Sequence, residues 1–99
     1  MTGNPMKFNE QQCEYISELL KSIAHPIRMK ILCFLMEGEK NVGEIEQQFG
    51  STISNISQHL TVLRKAKIIE RRKEANFMFY TLKDNNVYKL LEILKNNFC

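Results

Sequence analysis

Apolar side chains recur at helical spacing along five stretches of the chain and crowd together in two shorter ones. After Asn9, whose side chain suits a helix cap, Tyr15, Ile16, Leu19, Leu20 and Ile23 describe a first amphipathic helix that ends near His25-Pro26. Pro26 fits the first turn of a second helix, running to about Met36, because an N–H would have no partner there. Ile27, Ile31, Leu32, Phe34 and Leu35 spread around most of that helix, which predicts a place at the centre of the core, with Cys33 inside it. Glu37 to Lys40 reads as a turn. Asn41 then caps a short third helix from Val42 to Phe49, with Val42, Ile45 and Phe49 facing inward.

Gly50 closes the third helix, and Thr52 is the expected cap of a fourth that runs to Lys65. Ile53, Ile56, Leu60 and Leu63 form one apolar stripe on it, while Ser54, Asn55, Ser57, Gln58 and Thr61 share the other side. That outward face is polar but uncharged. A solvated face usually carries Glu and Lys, whereas hydroxyl and amide side chains are suited to base edges and phosphates in a major groove. Two short helices joined by a tight Gly-containing corner make a helix-turn-helix, a weak signal by spacing alone.

Beyond Lys65 the periodicity changes. Ile68 to Lys73 and Phe77 to Leu82 are rich in strand formers and flank Glu74-Ala75-Asn76, which predicts a hairpin with Arg71, Arg72 and Lys73 near its tip. A basic hairpin after a helix-turn-helix is a wing, placed to reach phosphates or the adjoining minor groove. Asp84 caps a last helix, striped by Val87, Leu90, Leu91, Leu94 and Phe98. The expected fold is therefore mainly α with a β-hairpin wing, in the order ααααββα. Its first and last helices exceed what a minimal winged helix needs and supply the material for a homodimer interface. Residues 1–8 read as a loose arm and residues 9–99 as one domain.

Charge sharpens this picture. The net charge is only +3, but residues 51–83 hold seven basic against two acidic side chains, so the positive field is concentrated on the fourth helix and wing. Three scattered cysteines, Cys13, Cys33 and Cys99, suit neither a secreted disulfide scaffold nor a zinc site. No stretch reads as a signal peptide or membrane span, so a cytoplasmic location is expected. No base, oxyanion donors or substrate cleft can be assembled from the sequence, so the chain is not read as an enzyme.

Three segments together resemble the ArsR family of bacterial winged-helix regulators, over about Leu19 to Cys99. They are Ala24 to Leu32, the Ser54-Asn55-Ile56-Ser57-Gln58-His59-Leu60 core of the fourth helix, and the wing ending in Phe79-Tyr80-Thr81-Leu82. The chain departs from the family at Lys67-Ile68, where Gly-Leu is common, so the end of the fourth helix lacks glycine's easy left-handed conformation. The resemblance implies a homodimer bound to double-stranded, inverted-repeat operator DNA. Thr52, Ser54, Asn55, Ser57, Gln58 and His59 would lie in or at the start of the reading helix, with His59 structural or phosphate-facing, and Arg71, Arg72 and Lys73 would add affinity from the wing.

Family members sense different signals on one scaffold. Asn41-Val42-Gly43 stands where the arsenic and cadmium sensors place Cys-Val-Cys. The last helix offers Asp84 and Glu92 but no histidine where the zinc and nickel sensors bind, so no metal site or cofactor is expected. Cys33 and Cys99 look like the two thiols of the persulfide- and redox-responsive branch. There, reactive sulfur species or oxidants link the pair and release DNA. The resemblance gives Cys13 no role. The alternatives are an ArsR-type regulator with another inducer, such as a soft metal ion held by cysteines alone, one with no inducer that acts against a silencing protein, and a winged-helix module that binds protein.

Overall fold

The computed structural model describes residues 7–50 and 53–99, the side chains of residues 53 and 54 excepted. The elements follow the order α1 (Glu10–Ile23), α2 (Pro26–Leu35), β1 (Lys40–Asn41), α3 (Val42–Phe49), α4 (Ile53–Lys65), β2 (Ile69–Glu74), β3 (Phe77–Leu82) and α5 (Asn85–Phe98). The winged helix-turn-helix expectation holds, with one addition. Lys40 and Asn41, read from sequence as turn and cap, form a third strand antiparallel to β3, so the sheet order is β1-β3-β2. Two residues are too few to show a period of two, which hides such a strand in the sequence.

Helix starts follow the expected capping chemistry. Asn9 and Gln12 form a reciprocal capping box on α1, and Asn41 and Glu44 form another on α3. The Asp84 carboxylate accepts from the Asn86 and Val87 N–H groups at the start of α5. Before Pro26, the His25 Nδ1 accepts from the Ile27 N–H at 3.1 Å, so an imidazole replaces the usual hydroxyl or carboxylate cap.

These helices enclose one core: Ile31, Leu32 and Leu35 of α2, Ile45 of α3, Ile56, Leu60 and Leu63 of α4, Ile69 and Tyr80 of the sheet, and Val87 and Leu91 of α5. Burial of each such aliphatic side chain contributes about 2 kcal/mol before entropy is counted. The stripe expected on α4 is therefore the surface that fixes this helix to the scaffold and turns its polar side outward. Ile53, the stripe's first member, has no described side chain.

The end of α4 shows how the chain manages without the family's glycine. The Lys67 N–H donates to the Arg64 carbonyl at 2.9 Å and the Ile68 N–H to the Leu63 carbonyl at 3.0 Å, the paired bonds of a Schellman closure. Ile68 and Leu63, both fully buried, complete it. The closure needs a left-handed residue, and Lys67 takes that conformation with φ 63°. Lys67→Gly is expected to stabilise the fold by about 1 kcal/mol, roughly 5 °C in thermal midpoint. A thermal melt with no gain would show that the Lys67 side chain makes compensating interactions.

Candidate nucleic-acid interface and thiol cavity

Gly50, in the left-handed region at φ 64°, closes α3 with its N–H on the Glu46 carbonyl and directs the chain toward α4. On α4, Asn55, Ser57 and Gln58 are exposed, on the side opposite the buried Ile56, Leu60 and Leu63. Thr52 and the side chain of Ser54 lie outside the described residues.

His59 is placed differently from its neighbours. It is half-buried, and its ring lies 4.3 Å, centroid to centroid, from His25, the cap of α2. Burial holds its pKa below the ordinary imidazole value, and the nearby His25 and Arg28 push in the same direction. The Arg28 Nε is itself buried without a hydrogen-bond partner. The base of α4 thus rests on a site that tolerates added positive charge poorly. Because the folded state disfavours the proton, this stabilising contribution is complete above the unfolded imidazole pKa of about 6.5 and is lost as pH falls from there through the lower folded value. Denaturant titrations should show stability declining from pH 7 to pH 5, and His59→Gln should flatten that part of the profile. An unchanged slope in the variant would assign the decline to other groups.

In the wing, Arg71, Arg72 and Lys73 are all exposed on β2, yet they are not equivalent. Arg71 pairs with Tyr80 and Lys73 with Met78 across the ladder, so both extend from the face that continues the core. Neither joins an ion pair among the described residues. Arg72 leaves from the opposite face, with its guanidinium 4.7 Å from the Phe79 ring centre. It donates to both carboxylate oxygens of Glu39, Nε to Oε2 at 2.8 Å and Nη2 to Oε1 at 2.7 Å, and also to Glu74. Thr81 adds a hydroxyl donor to Glu39 at 3.2 Å. The hydrogen bonds from Arg72 hold the Glu39 carboxyl below its usual range. Arg72 is therefore a tie between the wing and the strand leading into α3, its charge already matched by two carboxylates. The tip uses a two-residue turn, Ala75-Asn76, with Ala75 at φ 55°, a conformation where hairpins favour glycine.

The thiols lie on the other side of α2. Cys33, expected inside a core helix, is exposed, because it lies off the face by which Ile31, Leu32 and Leu35 enter the core and instead borders a cavity shared with residues of α5. Cys33 and Cys99 line one cavity of about 430 Å³, walled by Met29, Leu91, Leu94, Phe98 and the side chain of Lys95. Partial burial pushes the Cys33 thiol up from its ordinary pKa. The Lys95 ammonium opposes that shift, and Cys99 adds to it. Cys13 lies exposed on α1 and does not line this cavity. Among the described residues, no group of three or more His, Cys, Asp and Glu side chains is arranged to hold a metal ion, and no helix is long and apolar enough to cross a membrane.

The profile of the bacterial regulatory protein family arsR matches residues 25–71, the span from the cap of α2 to β2. A biofilm growth-associated repressor of Xylella fastidiosa is 39% identical over 90 residues, covering 91% of this chain and 79% of the repressor. The chain belongs to the ArsR family. The transcriptional activator HlyU of Vibrio cholerae is 36% identical to this ArsR chain over 101 residues, covering 100% of it and 94% of HlyU. The crystal structure of the repressor BigR from Xylella fastidiosa superposes with a TM-score of 0.87 at 38% identity, over 100% of this chain and 98% of that one. This ArsR-family protein is a DNA-binding transcriptional regulator, with relatives named as regulators and not as catalysts.

Within this ArsR chain, Glu39, Arg28 and Lys95 join these sites without having been marked by any sequence pattern. Glu39 meets Arg72 only because β1 joins the sheet, a pairing of residues 33 apart that no local pattern reveals. Lys95 had a usable signal, since it lies four residues before Cys99, one helical turn away.

Proposed function

We propose that the chain is a homodimeric regulator that binds an inverted-repeat operator when reduced and leaves it when Cys33 and Cys99 become linked through sulfur. The observation that carries this reading is the shared cavity, since two thiols, one on α2 and one just past the end of α5, border one apolar space. In the first step the Cys33 thiolate attacks the outer sulfur of a persulfide, forming a Cys33 persulfide and expelling the donor's thiolate. The Cys99 thiolate then attacks the Cys33 sulfur, forming a disulfide and expelling hydrosulfide. Further sulfur transfer before closure gives a longer chain, and an oxidant acting on the same two thiols gives the disulfide.

Either link ties α2 to the end of α5. The exposed Tyr15 and Leu20 of α1 and Ile93 and Phe98 of α5 are the apolar side chains assigned to the dimer interface. A tie at α5 biases how the two protomers meet, and thus the separation of two reading helices that must match one turn of DNA, about 34 Å. In the reduced dimer, Asn55, Ser57 and Gln58 face the groove, Arg71 and Lys73 reach phosphates, and His59 and Arg72 hold α4 and the wing in position; Thr52 and Ser54 are assigned to the same contact from their place in the sequence alone.

The test follows operator binding by fluorescence anisotropy before and after glutathione persulfide and then dithiothreitol, with intact mass recorded at each stage. Release that dithiothreitol reverses, together with a mass showing an internal sulfur link, is the expected result. Undiminished binding by fully modified protein would overturn the sensing mechanism and leave the DNA-binding regulator.

A further inference from the structure

Cys33 borders two spaces. Besides the cavity it shares with Cys99, it lines a more open cleft of about 330 Å³. Met29, Phe34 and Phe49 form the apolar wall of that cleft, and Lys30, Gln48, Glu37 and Lys95 form its polar rim. The Glu37 charge is answered by Lys40, with Nζ 3.7 Å from Oε1. Lys30 and Lys95 take part in no ion pair among the described residues, so the rim carries a cationic surplus. The two spaces divide the geometry of sulfur transfer, since the resolving thiol occupies one side of Cys33 and leaves the other for the incoming reagent. Lys95 lines both.

We propose that this open cleft docks the organic part of the sulfur donor, and that the donor is a small thiol persulfide bearing carboxylates. The inference rests on the sensing reading above. Lys30 and Lys95 receive the carboxylates, Gln48 offers an amide donor, and the Met29, Phe34 and Phe49 wall receives the carbon skeleton. With the donor so held, its outer sulfur meets Cys33, and the expelled thiolate forms beside Lys95 and departs to solvent. Lys95 is a positioning residue in this scheme, since it acts on the reagent and on Cys33 without exchanging a bond.

The experiment measures the rate of Cys33 modification by mass spectrometry with three donors, the persulfides of glutathione (anionic), 2-mercaptoethanol (neutral) and cysteamine (cationic). Each rate is divided by that donor's rate with a small neutral thiol, which removes intrinsic reactivity. The full chain is compared with the K30M/K95M and K30R/K95R variants. The wild type should prefer the anionic over the neutral donor by about 10-fold at low ionic strength, with the preference shrinking as salt is added. K30M/K95M should lose the preference and K30R/K95R retain it. Because Lys95 also influences the thiol, the ratio between donors is the diagnostic readout, not the absolute rate. Equal normalised rates for all three donors, or a preference that survives K30M/K95M, would overturn the docking site while leaving the sensor intact. Failure of every donor to modify Cys33 would overturn the sensing reading itself.

Discussion

Cys99→Ser is expected to bind operator as tightly as the wild type when reduced and to remain bound after persulfide treatment. Its intact mass should show sulfur added to Cys33 but no internal link. Cys33→Ser should also stay bound. Linking coupled sites typically shifts affinity by 5- to 150-fold, so the wild type should lose roughly 10- to 100-fold on treatment and each variant less than about 2-fold. The asymmetry in mass is the informative part. Cys33 borders both the shared cavity and the open cleft, whereas Cys99 lines only the former, and the proposed mechanism accordingly has Cys33 react first. A Cys99→Ser protein that still releases DNA would mean that modification of Cys33 alone shifts the dimer. An unmodified Cys33 in that variant would reverse the order of attack.

The second large effect belongs to the reading helix. Gln58→Ala should lower discrimination between operator and random DNA by about 10-fold, the scale of one paired base contact, with little change on random DNA. Arg71→Ala and Lys73→Ala should weaken both DNAs and reduce the salt slope by about 0.9 for each phosphate that is no longer neutralised. Arg72→Ala should behave differently. Its charge is matched by Glu39 and Glu74, so its removal misplaces the wing with a smaller change in slope than Arg71→Ala. Binding isotherms at several salt concentrations separate these outcomes. Equal weakening on both DNAs for Gln58→Ala would remove it from base reading.

The helices were legible because their boundaries are written in local chemistry. Asn9, Asn41 and Asp84 cap as their side chains suggest, and Ile56, Leu60 and Leu63 recur at the spacing that puts them on one buried face. The hairpin was legible for a similar reason, since two strand-forming runs flank a short turn. What escaped depends on the meeting of distant segments. Lys40 and Asn41 become a strand only because β3 offers an unpaired edge, and Glu39 then comes within reach of Arg72. Periodicity marked α2 as central but could not say which way Cys33 pointed within so apolar a helix. The partnership of His59 with His25 likewise required the crossing of α4 over α2, a packing outcome that neither segment encodes alone.

The raised pKa of the Cys33 thiol has a kinetic meaning. Only the thiolate attacks sulfur, so a thiol kept mostly protonated at neutral pH reacts in proportion to a small ionised fraction. Under the proposed sensing mechanism, brief or dilute exposure then passes without a response, and sustained exposure accumulates into one. In the sensor proposed above, the apolar surroundings of Cys33 act as a low-pass filter on the chemical signal, trading speed for immunity to noise, with the Lys95 ammonium pulling the other way.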